Sequence, residues 1–338
     1  MDNPWAVAIR ERTAQPGGQA PVFVLGAPRS GTTLLYHMLL SAGGFAVFRA
    51  ETHVFDLLGP RFGDFGNLRN RRRLLRQWLD TKSFRVSGLD VARTEDLILN
   101  QCHGRGDFLR KIMGEIARNQ QVERWAECTP DHLLYLPEIK QEIPDALMIH
   151  IIRDGRDVAV SAAKQGWFHP FPWDRHREVL VAGLYWEWAV TKGRSLGSSL
   201  GSDYREVRFE ELLTNPTETL ASLGRFIGHD LDYGRIRQVG IGSVSNPNTS
   251  FEPGAGGQDF APIGRWQEQL GREDKDALEY LLADTLTALQ YPVSAGLGKM
   301  NKSELERMKA IYFRWFETKQ WLKSHTALGR LLVRTAIV

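Results

Sequence analysis

The sequence predicts an α/β fold: a central parallel sheet flanked by helices, with a helical insertion after the first unit and a C-terminal helical tail. Three observations predict it. The runs Val22–Leu25 and Leu147–Ile152 are apolar throughout apart from His150, the pattern of strands buried on both faces. Each runs through a glycine-containing turn into a helical stretch, Thr32 to Leu40 in the first case and onward through Lys164 in the second. A third unit repeats that order: Glu206–Phe209 precedes EELLTNPTETLASLGRFIG, in which Asn215-Pro216 signals a helix start and Gly228 its end. Repeated strand-to-helix order implies parallel neighbours, because these need a crossover connection.

The remaining elements follow in chain order. Residues 61–125 mix arginine clusters with apolar residues at helical spacing and carry almost no strand signal, so they are read as the helical insertion, with Arg69–Arg73 as a solvated face. Residues 243–264 are rich in Gly, Pro, Ser and Asn and read as a long loop of the kind that forms lids. A helix from Asp274 to Leu289 stops before Pro292. One domain over 1–300, with a core at about 21–292, is expected, followed by the tail at 301–338. That tail has eight Lys/Arg against three Glu, with Trp315, Phe316, Trp321 and Leu322 interleaved. A helix packed on its own domain, a dimer contact and a membrane-surface helix all fit it.

Composition narrows the function. With 42% apolar and 25% charged residues over 338 positions, the chain has the makeup of a soluble protein with a sizeable core. The formal charge of +3 suits an anionic ligand and falls short of the basic surface of a nucleic-acid binder. Cys102 and Cys128 form no CxxC pair and no disulfide framework, which points to a reducing compartment. The first residues lack the apolar core of a signal peptide and no eighteen-residue apolar run occurs. A cytoplasmic protein is expected, with peripheral membrane contact left open.

The loop Gly26-Ala27-Pro28-Arg29-Ser30-Gly31-Thr32-Thr33 has both glycines and the final Thr of the GxxxxGK[ST] phosphate loop, so the predicted sheet is of P-loop type. Thr32 replaces the lysine. Backbone N–H groups at the start of the following helix can still cradle a phosphate, and the fixed charge moves to Arg29. A kinase or NTPase would need that lysine and a metal-binding carboxylate after a second strand, and neither stands out. At the end of the second apolar run stand Arg153 and, eight residues later, Ser161, both within reach of an anion at the carboxyl end of the sheet.

GAPRSGTTLL resembles the 5'-phosphosulfate loop of the sulfotransferases that use 3'-phosphoadenosine 5'-phosphosulfate (PAPS), in particular the branch with Arg rather than Lys at the position of Arg29, which includes tyrosylprotein and bacterial enzymes. HIIRDGRDVAVS is similar to the same family's 3'-phosphate motif, which assigns Arg153 and Ser161 to that phosphate. The resemblance covers about residues 21–292 and implies transfer of a sulfonate from PAPS to an acceptor hydroxyl or amine, releasing PAP, with no metal. It implies Arg29, Ser30, Gly31, Thr32 and Thr33 around the 5'-phosphate, Phe209 near the adenine, and Arg265 in GAGGQDFAPIGRW as a further phosphate ligand. Two related alternatives are a P-loop kinase or NTPase and a non-catalytic PAP-binding relative.

For the base, Glu51 matches a Glu-Thr pair of the tyrosylprotein branch, with one extra residue intervening, and its apolar flanks are expected to desolvate it. His53, whose intrinsic pKa is near neutrality, is the alternative. Glu127-Cys128-Thr129-Pro130 resembles the family's Glu-Lys-Thr-Pro element with Cys128 in place of Lys, which removes a positive charge. The stretch Trp167 to Trp173, rigidified by Pro170 and Pro172, is a candidate wall for the acceptor: a small molecule, lipid, glycan or peptide hydroxyl.

Overall fold

The computed structural model describes residues 20–241, 262–294, 301–326 and 329. The first unit is strand β1 (Val22–Leu25) and helix α1 (Thr32–Ser41). A short strand β2 (Phe45–Ala46), a π-helical turn at Val54–Leu58 and five helices come next: α2 (Gly59–Phe62), α3 (Leu68–Trp78), α4 (Lys82–Ser87), α5 (Val91–Gln101) and α6 (Arg105–Asn119). Strand β3 (Arg124–Glu127) leads through a 3-10 turn at Pro130–Tyr135 into α7 (Leu136–Glu142). The second apolar strand, β4 (Leu147–Ile152), is followed by α8 (Gly155–Ala163) and the long α9 (Glu178–Ser198). Strand β5 (Tyr204–Arg208) opens the last sheet unit, with α10 (Phe209–Thr214), α11 (Pro216–Ile227) and α12 (Tyr233–Val239). Helices α13 (Trp266–Gln269), α14 (Arg272–Ala288) and α15 (Lys302–His325) complete the described chain.

The five strands form one sheet in the order β2-β3-β1-β4-β5, and every pairing is parallel. Val22 faces Leu147 and Leu25 faces His150, so the two apolar strands lie side by side at the centre. Both are fully buried because helices cover both faces, which is why neither shows an alternating pattern. The chain leaves β1 toward β2 on one side and leaves β4 toward β5 on the other. The crevice between their carboxyl ends is therefore the switch point at which open α/β sheets bind ligands.

Three expectations change. The sheet includes β2 and β3, which the sequence reading left inside or beside the insertion; β3 begins with Arg124, a charge where a buried strand is expected to be apolar. Arg124 is tolerated because it donates to Ala20 O at 2.7 Å and Ile227 O at 2.8 Å and stacks 5.1 Å from the Phe45 ring centre. The run Arg69–Arg73 is not uniformly solvated: Arg71 is buried and donates to the carbonyls of Phe65, Gly66 and Leu99, tying α3 to α5. Phe209 begins α10 instead of ending a strand. The predicted 243–264 loop lies mostly outside the described residues.

The tail helix α15 buries Leu305, Met308, Tyr312 and Phe316, one stripe at helical spacing, and packs on α9. Polar contacts fix its register: Glu317 accepts from Trp188 Nε1 at 2.7 Å and from Lys192, and Lys309 pairs with buried Glu187 at 2.8 Å. Of the described tail residues, those facing the domain are thus a packed terminal helix. Ile311, Trp315 and Trp321 remain on its open side.

Candidate active site

The turn between β1 and α1 brings the predicted anion ligands to the switch point. Gly31 caps α1 at φ 95° with no side chain closing the helix start, so the first N–H groups of the helix face the loop. Arg29 itself stands at φ 73°, in the left-handed region that a non-glycine residue occupies at a cost of about 1–3 kcal/mol. That turn points its side chain across to α8, where Arg29 Nε donates to Ser161 Oγ at 3.0 Å. Arg153 Nη1, from the end of β4, donates to Arg29 O at 3.1 Å. The loop and strand-end motifs, read separately in the sequence, form a single site.

Three donors in it are buried with no hydrogen-bond partner: Arg29 Nη2, Ser30 Oγ and Arg153 Nε. Buried unsatisfied donors are expensive and rare in native proteins, so three together single out this strand end as the candidate site. The electrostatics agree. Burial and the like charges of Arg153 and Arg265 push the Arg29 guanidinium below its usual pKa, and burial does the same to Arg153 against the opposing pull of Asp157 and Glu210. Arg265 lines, with Ser161, Asp157, Lys164 and Gln269, a small cavity of about 60 Å³ beside the arginines.

Thr32 and Thr33 differ. Thr33 is exposed at the helix start, whereas Thr32 is buried and its hydroxyl donates to the Cys128 sulfur. Burial and the charges of Glu127 and Glu51 push that thiol well above its ordinary pKa, so Cys128 is a thiol packed beneath the loop and not a thiolate. Phe209 is 1% exposed, with its ring against Gly31 and the Arg153 guanidinium 4.6 Å over its face. In this geometry the ring is a platform for Arg153. A methyl group on Gly31 would lie 2.3 Å from Phe209 Cδ2. Gly31→Ala therefore meets both a positive φ and a buried ring, and is expected to destabilise the fold by about 2–4 kcal/mol. A clear fall in Tm in scanning calorimetry is the expected reading; an unchanged Tm would mean that the ring moves aside freely.

The residues after Arg153 do more than pair with one another. Arg156 does bond Asp154 and Glu279, as a strand-end ion-pair network should. Asp157, however, accepts from Gly264 N at 2.8 Å and Trp266 N at 3.0 Å, while Arg153 Nη2 donates to Pro262 O at 2.6 Å. Arg156 lies 4.0 Å over the Trp266 ring. These contacts hold the segment Pro262–Trp266, and with it Arg265, against α8. The sequence reading assigned Asp157 no such role, and a carboxylate one helical turn after Arg153 was the available signal.

Glu51 and His53 stand together, with His53 Nε2 3.0 Å from Glu51 Oε2. The expected desolvation of Glu51 does not occur: its side chain is 46% exposed, because Phe45, Phe48, Val54 and Phe55 turn into the core. His53 is the half-buried partner, held on its other side by Asp56 Oδ2 at 3.0 Å from Nδ1. Burial disfavours its charge, but hydrogen bonds to Asp56 and Glu51 outweigh this and raise its pKa to about 10. Behind Asp56 lie His132 and Glu127, residues that the sequence reading gave no function.

Of the aromatic stretch, Phe168 packs on Tyr185 and Phe171 on Tyr312, whereas Trp167 and Trp173 are exposed. The Arg29 guanidinium lies 5.5 Å over the Trp167 ring, so this loop reaches the anion site. Trp173 stacks on Phe171, whose other neighbours include Trp315 of the tail.

Among solved structures, the sulfotransferase domain of the Synechococcus PCC 7002 olefin synthase is similar at 16% identity, covering 91% of this chain and 98% of that domain, with a TM-score of 0.46. A sulfotransferase from Alicyclobacillus acidocaldarius is similar at 15% identity, covering 83% and 98%, with a TM-score of 0.43. No curated protein sequence matches. The model of the sulfotransferase family matches residues 21–233, the segment that contains the phosphate loop, the Arg153 strand end and the Glu51 turn, and the chain belongs to that family.

Proposed function

We propose that this sulfotransferase takes its sulfonate from PAPS and transfers it in line to an acceptor hydroxyl or amine, releasing PAP. The observation that carries the reading is the trio of buried, unpartnered donors on Arg29, Ser30 and Arg153, at the carboxyl ends of two adjacent strands. Two anion cradles side by side suit a nucleotide phosphorylated at both 3' and 5'. In this reading Arg29, Ser30 and the N–H groups from Gly31 to Thr33 hold the 5'-phosphate, and Arg153 with Ser161 holds the 3'-phosphate. Arg265, drawn in by Asp157, adds charge to the same region. Phe209 supports Arg153 from below.

Glu51 is the proton acceptor in this reading. Both ring nitrogens of His53 already face carboxylates, which leaves no lone pair for a substrate proton, whereas Glu51 is open to solvent on one side. Glu51 takes the proton of the acceptor as the new bond to sulfur forms. The bond from sulfur to the 5'-phosphate oxygen breaks, and Arg29 stabilises the charge left on that oxygen. No lysine stands in the loop to manage a γ-phosphate, and Cys128 supplies no thiolate for a covalent step.

For the acceptor, exposed Trp167 beside Arg29 favours a molecule with an apolar body. Trp173, Trp315 and Ile311 extend that surface along the tail, with Arg175 and Arg314 exposed nearby, a composition suited to an acceptor presented at a membrane surface by a cytoplasmic enzyme. Among the described residues no helix is long and apolar enough to cross a membrane.

Calorimetric titration with PAP, ADP and ATP, each with and without Mg²⁺, tests the reading. Metal-independent binding of PAP at least about tenfold tighter than ADP is expected, since the 3'-phosphate adds charge-assisted bonds to Arg153. Preference for Mg·ATP would overturn it in favour of a kinase or NTPase. Tight PAP binding with no transfer to a broad acceptor panel would identify a non-catalytic relative.

A further inference from the structure

Behind Glu51 runs a buried line of carboxylates and imidazoles longer than proton abstraction requires. We propose that Asp56 and His132 are positioning residues for the transfer reaction, holding the Glu51 carboxylate toward the donor site through His53. This rests on Glu51 being the proton acceptor.

The geometry is continuous. His53 has φ 50°, a left-handed conformation that is uncommon for a residue other than glycine. Its Nε2 lies 3.0 Å from Glu51 Oε2 and its Nδ1 3.0 Å from Asp56 Oδ2. Asp56, 1% exposed, places its other oxygen 3.3 Å from His132 Nε2. His132, fully buried, places Nδ1 3.1 Å from Glu127 Oε2. Glu127 in turn accepts the hydroxyls of Thr52 at 2.8 Å and of Thr129, and Thr129 Oγ1 accepts the backbone N–H of Thr52 at 3.1 Å and of His53 at 3.3 Å. The line thus closes on the backbone that carries Glu51 and His53, and fixes that turn from two sides.

Packing alone does not explain these residue types. A buried carboxylate is costly unless paired, and apolar residues of the same volume would fill the space at no such cost. Among the described residues no arginine or lysine bonds Asp56 or Glu127, so the imidazoles of His53 and His132 are the groups that can carry compensating charge; the backbone N–H of Phe55 also approaches His132 Nε2, at 3.2 Å. Burial opposes that charge on both rings, yet the flanking carboxylates raise His132 to about 9 and His53 to about 10. The other titratable groups facing the line are Tyr36, Cys128, Tyr135 and Tyr185, all held neutral by burial first and then by nearby carboxylates, Glu127 for Tyr36 and Cys128, and Asp56 with Asp131 for Tyr135 and Tyr185. An imidazolium anchored by Asp56 donates Nε2–H to one Glu51 oxygen and leaves the second for the substrate.

The test is Asp56→Asn in the full chain, measured for PAP affinity and for kcat across pH. Unchanged PAP affinity is expected, with kcat lower by about a hundredfold, the scale of a misplaced catalytic group. The alkaline limb of the profile should also move to lower pH. The sign follows from His53: its pKa is raised in the fold, the aligned state is present below that pKa and lost above it, and removing the Asp56 charge lowers it. A merely structural role would lower Tm without moving the limb. Wild-type kcat and an unmoved limb would overturn the proposal. Glu51→Gln, made in parallel, separates the two failures: full turnover there sinks the base assignment, whereas an inactive Glu51→Gln beside a wild-type Asp56→Asn sinks only the positioning role. If Asp56→Asn does not fold, ¹⁵N-histidine NMR of the unmodified protein replaces it, with His53 assigned from its absence in His53→Gln. Two protonated ring nitrogens at pH 8 support the line, and a neutral ring overturns it.

Discussion

Arg153→Ala should weaken PAP binding by about two to three orders of magnitude while leaving a folded protein. The guanidinium has two of its nitrogens committed to Arg29 O and Pro262 O, and its Nε is buried and unpartnered. Each charge-assisted bond from such a group is worth about 1.5–3 kcal/mol, and removing it also takes away one of the contacts that hold the Pro262–Trp266 segment carrying Arg265. Affinity measured by calorimetry is the readout, with Ser161→Ala as a smaller neighbour, since a hydroxyl contributes one neutral bond. Affinity within about threefold of wild type would place the 3'-phosphate elsewhere.

Glu51→Gln should leave PAP affinity and Tm unchanged and lower kcat by about 10²- to 10⁴-fold, the usual contribution of a positioned general base. The side chain is 46% exposed and it bonds His53, so the amide can keep that hydrogen bond without disturbing the core. This separation of binding from turnover distinguishes a proton acceptor from a structural residue. Wild-type kcat in the variant would remove Glu51 from the reaction and return attention to the donor-side arginines.

The central strands were legible in the sequence because each is buried on both faces and bounded by a turn: Val22–Leu25 and Leu147–Ile152 recur in the structure at the same limits. The phosphate loop was legible because glycine spacing and a following helix are local properties, and Gly31 does take the left-handed conformation at the helix start. Strands β2 and β3 were not. Two residues are too few to show a period, and the arginine that opens β3 reads as surface until its carbonyl partners, about a hundred residues away in sequence, are known. Arg71 hid among its exposed neighbours, since nothing in an arginine run shows which guanidinium turns inward to bond carbonyls.

The sequence by itself determined the α/β class, the order of strand and helix in the three predicted units, and the family to which the chain belongs. Only the tertiary structure decided that Arg29 reaches Ser161, that Phe209 lies under Arg153, that Asp157 holds the Pro262–Trp266 segment, and that Asp56, His132 and Glu127 stand behind the Glu51 turn. Hydropathy and turn chemistry act between neighbours a few residues apart, so they are written locally. A buried charge is tolerated only by partners that the fold delivers from elsewhere in the chain, as His132 reaches Asp56, and nothing in the spacing of either residue announces the other.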